Sequence, residues 1–450
     1  MKLSSSSTSI IRVNMLSRVI SFTIVIAVII FGVIAKLGFY ADGAYFFYYI
    51  VQTHHFFIQE YTRGGADVIS QVPLVIAARF NVHSLATLRL IWDTSVIAIP
   101  GLFNLIALYK VRKSSLFFVF SFVILFIYSS SSFFAIGEYN LCFSLFICAL
   151  GILVCDHKSN MNQNLLLVIS IFFVATYPST IFLGSVLVLI IVMIEPFEPK
   201  RLSSFIRSRL GITCCVFASS IIVGLLGIIF SQGAPKVTAS MLMMPFQIDS
   251  GTFRILLLNA ILLFMVTIKA EIFYYPCLAV STYFVLSHKS NSMYFSYFSR
   301  EVVSLFLLAF GIYVAYWMKN ESSRVNVSRL STNKEIFWNL ILVSMFLTIG
   351  LSIAHNEKEF VSYLKNYSSL DELRLPFVSN IGANSDTEII KNVYTNPNGS
   401  WSWGQAYLDA DLGGASLILN PGIANPSGMT KGLRYDNLPL PWPWLLRDSR

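Results

Sequence analysis

The sequence predicts an all-α polytopic membrane protein with about eleven transmembrane helices, a large outer first loop and a small loop-rich C-terminal domain outside the membrane. Three observations predict this class. Hydrophobic residues make up 55% of the 450-residue chain and charged residues only 12%, about half the share usual in globular proteins. Long apolar runs recur as far as residue 354. The chain beyond residue 354 is polar and rich in Gly, Pro, Asn and Trp, which is typical of turns.

The apolar runs define the predicted spans, because about 20 apolar residues cross the hydrocarbon core of a bilayer. They lie at about 16–36, 87–108, 115–134, 141–155, 164–177, 179–195, 211–230, 254–268, 271–287, 302–318 and 336–354. Three of them, 141–155, 164–177 and 254–268, are short. The number of spans is therefore predicted only to within one or two. The transmembrane part, 1–354, and the tail, 355–450, form the two predicted domains.

Lys and Arg set the predicted orientation, because loops on the cytoplasmic side carry an excess of both. With the N-terminus inside, the inner segments hold sixteen of these residues and the outer loops before residue 355 hold eight. We therefore expect a cytoplasmic N-terminus and, with eleven spans, an extracytoplasmic C-terminus. The net charge of +9 follows from this distribution and does not indicate nucleic acid as a partner.

The first outer loop, 36–86, is the predicted location of the functional site. It is too polar to span a membrane and too aromatic for an ordinary linker. We predict two amphipathic helices in it, at about 44–60 and 67–80, separated by Gly64 and Gly65. The loop brings carboxylates, histidines and arginines to the outer membrane surface.

Asp42 is the main catalytic candidate, since it stands just past the first span beside Gly43. A carboxylate at the edge of a low-dielectric region can act as a general base on a sugar hydroxyl, or can bind a divalent cation such as Mg²⁺ or Mn²⁺. An Asp at this position also suits the N-cap of a helix, and the two roles are compatible. Whether a metal binds stays open.

Glu138 is the second acidic candidate, because it is predicted to lie in a very short outer turn between two spans. It could serve as a second acid, a metal ligand or a partner of an outer Arg. The alternative is an ordinary solvated turn residue.

Outer cations are candidates for binding a phosphate, since the guanidinium of Arg recognises phosphate with two parallel hydrogen bonds. The candidates are Arg63, Arg79, Arg254, Lys289 and Arg300. Interfacial Lys and Arg side chains also commonly extend to water without any ligand. Arg89 and Asp93, four residues apart on one predicted helix, are expected to pair with each other.

Aromatic and imidazole side chains on the same side are candidates for contact with a sugar or lipid. They are Tyr45, His54, His55, Tyr139 and Tyr177. Adjacent His54 and His55 would point about 100° apart on one helix and are poorly placed to share a zinc ion. The Tyr177-Pro178 pair is also the expected turn between two spans.

Several function classes are disfavoured by the sequence. All six cysteines lie inside apolar runs and none forms a CxxC pair, so neither a thiolate metal site nor a disulfide framework is indicated. The chain contains no Walker A, GxSxG, HExxH or GxGxxG motif. ATP-driven and common hydrolase chemistries are therefore not predicted.

The layout resembles the GT-C superfamily of integral membrane glycosyltransferases. The shared features are an inside N-terminus, one span, an acidic residue (Asp42) at the start of a large outer first loop with amphipathic helices, and many spans joined by short inner loops. Among bacterial members the chain is similar in layout to phage-type O-antigen glucosyltransferases. It departs from many members in showing only Asp-Gly-Ala at residues 42–44 where a longer acidic motif is common.

The resemblance implies an enzyme of the bacterial inner membrane that uses a polyprenyl-phosphate sugar donor and a glycan or lipid-linked acceptor. It implies a catalytic or metal-binding role for Asp42, and Glu138 would match a second acidic residue of some members. An O-antigen polymerase or ligase is an alternative, although such proteins carry their largest outer loop between late spans. A lipid or glycan flippase is another, although it predicts mid-membrane charges and internal repeats. A structural or assembly role would not require Asp42.

Overall fold

The computed structural model describes residues 15–39, 42–58, 63–82, 84–114, 116–131, 137–195, 202–230, 303–304, 306–315, 317–318 and 335–354. All regular secondary structure in this part of the chain is helical, without strands, so the predicted all-α class is confirmed for it. The predicted spans at 254–268 and 271–287 and the predicted tail domain lie outside the described residues.

Twelve α-helices and one short 3₁₀ turn are described. They are α1 (Met15–Ile34), the 3₁₀ turn (Leu37–Phe39), α2 (Asp42–Thr53), α3 (Gly64–Arg79), α4 (Leu85–Val111), α5 (Phe117–Ser131), α6 (Gly137–Asp156), α7 (Asn160–Phe173), α8 (Thr180–Ile194), α9 (Leu202–Arg207), α10 (Arg209–Phe230), α11 (Phe306–Ala315) and α12 (Glu335–Ala354).

Four of these helices are long and apolar enough to cross a membrane: α1, α4 over Ala86–Val111, α10 over Arg209–Leu226, and α12. Five more apolar helices are shorter, and they coincide with five of the predicted runs. The chain is thus a helical membrane protein, whereas the count of eleven spans stays a prediction. The helices follow the apolar runs because an isolated backbone in lipid must satisfy its hydrogen bonds within one segment.

Helix α6 forms the centre of the bundle. Every residue from Leu141 to Leu153 is buried, and the helix packs against α3, α4, α5, α7 and α8. By contrast, α1 and α12 expose apolar side chains such as Ile30 and Leu347, as expected for helices that face lipid. The amide of Asn339 in α12 donates to the hydroxyl of Ser17 in α1 at 3.0 Å.

The helices of the first loop differ from the prediction. Helix α2 ends at Thr53 rather than near residue 60, and α3 begins at Gly64 rather than at 67. The predicted break at Gly64 and Gly65 is therefore wrong, since both glycines belong to the first turn of α3. The interruption comes earlier: His54 has a φ of 59°, a left-handed conformation that ends α2.

Gly65 fixes the first loop to the turn between α7 and α8. Its N–H donates to the carbonyl of Ala175 at 2.9 Å. A Cβ at Gly65 would lie 2.6 Å from the carbonyl oxygen of Val174, which is closer than carbon and oxygen can approach. Glycine at this position permits the contact between the two segments.

Gly65→Ala is expected to destabilise the protein, while Gly64→Ala is the matched control. The alanine at 65 meets backbone, and such overpacking costs about 1–3 kcal/mol. A Cβ at Gly64 would lie 3.4 Å from the nearest atom, in the Ile58 side chain, so that change should be tolerated. The check is the melting temperature of the two purified variants in one detergent. Equal melting temperatures would contradict the close approach.

Candidate functional site

The candidate site lies at the end of the bundle formed by residues 35–39, 42–58 and 63–82 and the turn 174–179, here called the first-loop end. It has two parts. The first, here called the clamp, is formed by Trp92 and Asp93 of α4 where they bond to Gly38. The second is the aromatic cluster of Tyr177, Tyr139 and Phe143 beside Arg63.

The clamp holds the peptide groups of Gly38 between two consecutive side chains of α4. The Gly38 N–H donates to Oδ1 of Asp93 at 3.0 Å, and the indole Nε1–H of Trp92 donates to the Gly38 carbonyl at 2.8 Å. Asp93 and Trp92 are 3% and 1% exposed. Buried backbone groups need such partners, and here α4 supplies both of them.

The clamp extends to the start of α2 through a second glycine. A Cβ at Gly43 would lie 1.9 Å from the Gly38 carbonyl oxygen, and a Cβ at Gly38 would lie 2.6 Å from Oδ1 of Asp93. Only glycine allows these three groups to meet. Because Gly43 follows Asp42 directly, the clamp fixes the backbone beside the main catalytic candidate.

The sequence predicts only that Asp93 pairs with Arg89, whereas in the structure it also accepts a hydrogen bond from Gly38. Arg89 does interact with its carboxylate electrostatically, as expected from their spacing on one helix face. The hydrogen bond to Gly38, 55 residues away in the chain, is the contact that the sequence reasoning missed. The one hint of this contact in the sequence is Trp92, a second side chain that can form hydrogen bonds, directly beside Asp93.

Arg63 lies over an aromatic cluster. Its guanidinium carbon is 5.5 Å from the centre of the Tyr177 ring, within the range of a cation–π interaction. The Tyr177 ring meets the Tyr139 and Phe143 rings at 6.2 and 6.5 Å between centres, both in edge-on geometry. The cluster joins the first loop to α6 and to the turn before α8.

Tyr139 and Tyr177 are 1% and 5% exposed. In this arrangement Tyr177 supports Arg63 and Tyr139 packs against Tyr177, so neither ring offers an open face for stacking. Asp67, in the first turn of α3, is also buried at 2%. Its carboxylate stands near the positive end of the α3 dipole, on the same turn as Gly65.

Residues 54–58 are held against α3. The side-chain amide of Gln71 both donates to the Phe57 carbonyl and accepts from the Phe57 N–H, each at 2.8 Å. Nε of Arg79 donates to the His54 carbonyl at 3.1 Å. Arg79, a predicted phosphate ligand, is thus already engaged with the first loop's own backbone.

His54 and His55 do not share a helix as predicted, because both follow the end of α2. The His55 N–H donates to Oγ1 of Thr53 at 3.3 Å. In the part of the chain that the structure describes, no three His, Cys, Asp or Glu side chains are grouped so that they could hold a metal ion. A metal role for Asp42 remains a prediction.

The remaining predicted residues are placed only in part. Asp42 is the first residue of α2, and Glu138 lies in the first turn of α6 rather than in a turn between spans. The side chains of Asp42, Glu138 and Tyr45 lie outside the described residues. So do all parts of the predicted phosphate ligands Arg254, Lys289 and Arg300.

The comparisons with known protein families, curated proteins and solved structures find no match to this chain.

Asp93→Ala is expected to remove the hydrogen-bond acceptor of the Gly38 N–H, and Asp93→Asn is its control. The alanine leaves a buried N–H without an acceptor, which costs about 1–3 kcal/mol, whereas asparagine keeps an oxygen acceptor. Deuterium exchange of a peptide covering residues 36–43 measures the effect. We expect exchange to be faster by about tenfold in Asp93→Ala, equivalent to 1.4 kcal/mol, and little changed in Asp93→Asn. Identical exchange in all three proteins would rule out the clamp.

Proposed function

We propose that the protein is a membrane glycosyltransferase. It moves a sugar from a polyprenyl-phosphate-linked donor to a cell-envelope glycan or lipid acceptor on the extracytoplasmic side of a bacterial inner membrane. The resemblance in layout to the GT-C superfamily motivates this proposal. The observation that carries it is the clamp at Gly38, which fixes the chain beside Asp42 at the first-loop end.

The proposed reaction is a displacement at the anomeric carbon of the donor sugar. The acceptor hydroxyl oxygen forms the new bond to that carbon as the bond from the carbon to the phosphate oxygen breaks. Asp42 takes the hydroxyl proton as general base, and polyprenyl phosphate leaves with the bonding electron pair. Fixing the base on a rigid backbone supports this chemistry, because positioning supplies much of the rate gain in such a step.

Arg63 is the proposed ligand of the donor phosphate. It is half-buried, it belongs to the same folded loop as Asp42, and Tyr177 supports its guanidinium. Arg254, Lys289 and Arg300 stay as further proposed phosphate ligands. Glu138 stays as a proposed second catalytic acid, and Tyr45, His54 and His55 stay as proposed contacts to the sugar or the lipid. Among the described residues no three His, Cys, Asp or Glu side chains are grouped to hold a metal ion, and no step is assigned to a metal.

A lipid or glycan transporter is the second candidate, and one observation favours it. Asp93 is a buried carboxylate within the candidate span Ala86–Val111, and ionisable groups inside membranes commonly mark transport pathways. The hydrogen bond from Gly38 gives Asp93 a structural role instead, so the glycosyltransferase is preferred. A transporter would need Asp93 and would not need Asp42.

Asp42→Asn is expected to reduce sugar transfer by about 10²-fold or more, the usual contribution of a general base. The change keeps the shape of the side chain and removes its basicity. The assay follows labelled sugar from several polyprenyl-phosphate donors into lipid-linked or lipopolysaccharide acceptors, with membranes of matched expression. Full activity of a folded Asp42→Asn protein would exclude this mechanism. Activity by neither protein with any donor would favour the transporter.

Comparing Arg63→Met with Arg79→Met distinguishes an arginine that binds the donor phosphate from one that only holds the first loop in place. Methionine keeps much of the length of the arginine side chain and removes its charge. Loss of one charge-assisted hydrogen bond is worth about 1.5–3 kcal/mol, so KM for the donor should rise roughly tenfold or more in Arg63→Met. Arg79→Met should change KM little, because Arg79 is bonded to the His54 carbonyl. A KM change confined to Arg79→Met would reverse the assignment.

A further inference from the structure

A partly enclosed cavity lies between helices of the bundle, within the half nearer the first-loop end. Its walls come from α1, the 3₁₀ turn, α4, α5, α6 and α12, and they include Val96, Pro100, Tyr128, Asn140 and Ser144. The space open to the centre of a water molecule measures about 20 Å³. One buried water needs about 10–15 Å³ by this measure.

Two polar side chains of α6 line this cavity from one face of the helix, because they are four residues apart. Asn140 is 8% exposed and Ser144 is fully buried. Within the part of the chain that the structure describes, neither the amide oxygen Oδ1 of Asn140 nor the hydroxyl Oγ of Ser144 has a hydrogen-bond partner. Buried polar atoms in proteins are nearly always satisfied, by protein or by ordered water.

Helix α4 adds a backbone acceptor. Pro100 lies inside α4 and has no N–H, so the carbonyl of Val96 loses the donor that an ordinary helix would supply. Val96 and Pro100 both line the cavity. In membrane helices such freed carbonyls are commonly satisfied by neighbouring hydroxyl groups or by ordered water.

We propose that this cavity is a hydration site that holds one water molecule between α4 and α6. The water donates one hydrogen to the Val96 carbonyl and the other to Oδ1 of Asn140, and it accepts from the Ser144 hydroxyl. These three partners match the number that a buried water normally has. The inference does not depend on the proposed glycosyltransferase.

Other occupants fit less well. None of the residues that line the cavity carries a charge, so an ion would have no counter-charge. A hydrocarbon group would leave the Asn140 and Ser144 oxygens unsatisfied. The space is also too small for a lipid chain or a sugar. A single neutral molecule that both donates and accepts hydrogen bonds satisfies the site.

The bound water has a structural consequence for the first-loop end. It links α4, at the proline that interrupts its hydrogen bonding, to the start of α6. Asn140 directly follows Tyr139 of the aromatic cluster, and Val96 lies one turn beyond Asp93 of the clamp. The water thereby joins the two helices that carry the two parts of the candidate site.

X-ray radiolytic labelling with mass spectrometry tests the site, because radicals form from bound water and modify the side chains beside it. The full-length protein in lipid nanodiscs is used. We expect several-fold more labelling of Pro100 and Tyr128 than of Phe146 and Leu150, which are buried in α6 away from the cavity. Labelling of Pro100 and Tyr128 no higher than that of the two buried references overturns the proposal.

Variants show whether the named groups hold the water. Asn140→Leu removes an acceptor and fills space, and Ser144→Ala removes the donor without filling the cavity. Both should lower the labelling of Pro100 and Tyr128 towards the buried references. Ser121→Ala is the control, because Oγ of Ser121 bonds to the Phe117 carbonyl of its own helix at 2.9 Å. Equal labelling in wild type and both cavity variants, each confirmed monodisperse, would overturn the assignment of these partners.

Discussion

The first-loop end depends on one residue, Gly38, whose N–H and carbonyl are both bonded to side chains of α4. Trp92 and Asp93 are consecutive residues, so a single position on α4 satisfies both polar atoms. The chain leaves α1 here, and a left-handed Lys36 with a φ of 54° turns it. Without these bonds the turn would carry unsatisfied buried groups. The start of α2 would then lose the contact that fixes it to α4.

Beyond Gly38, the first loop is fixed at three further places, each by a different kind of contact. The side chain of Gln71 holds the backbone of Phe57 with two hydrogen bonds. Gly65 packs backbone against the turn between α7 and α8. Arg63 lies over Tyr177 of the same turn. The acid and the cation of the proposed reaction therefore belong to one folded segment. Such rigid placement is what a transfer reaction at a membrane surface requires, because it needs a base and a phosphate ligand in fixed positions.

The sequence predicts the described helices well, because apolar runs of this length have few alternatives in a membrane. It also locates Asp42 at the start of a helix. It fails where long-range contacts decide the structure. Two consecutive glycines, Gly64 and Gly65, suggest a loop. In the structure both belong to α3, and Gly65 is needed where α3 packs against the turn between α7 and α8. Arg89 and Asp93 have the spacing of a helix pair, yet Asp93 also binds the distant Gly38. No periodicity encodes contacts between residues 55 positions apart. The Pro100, Asn140 and Ser144 pattern becomes a site only once α4 and α6 are seen side by side.

The proposed reaction requires the first-loop end to face the extracytoplasmic side, where lipid-linked sugars are consumed. Single-cysteine variants test this orientation in a background that lacks the six native cysteines. The cysteine replaces either Arg79 or Lys113, which are both exposed and lie at opposite ends of the fold. A membrane-impermeant maleimide should label Arg79→Cys in spheroplasts, whose inner membrane is intact and exposed to the reagent. It should label Lys113→Cys only after that membrane is permeabilised. The reverse pattern would place Asp42 and Arg63 in the cytoplasm and contradict the proposed function.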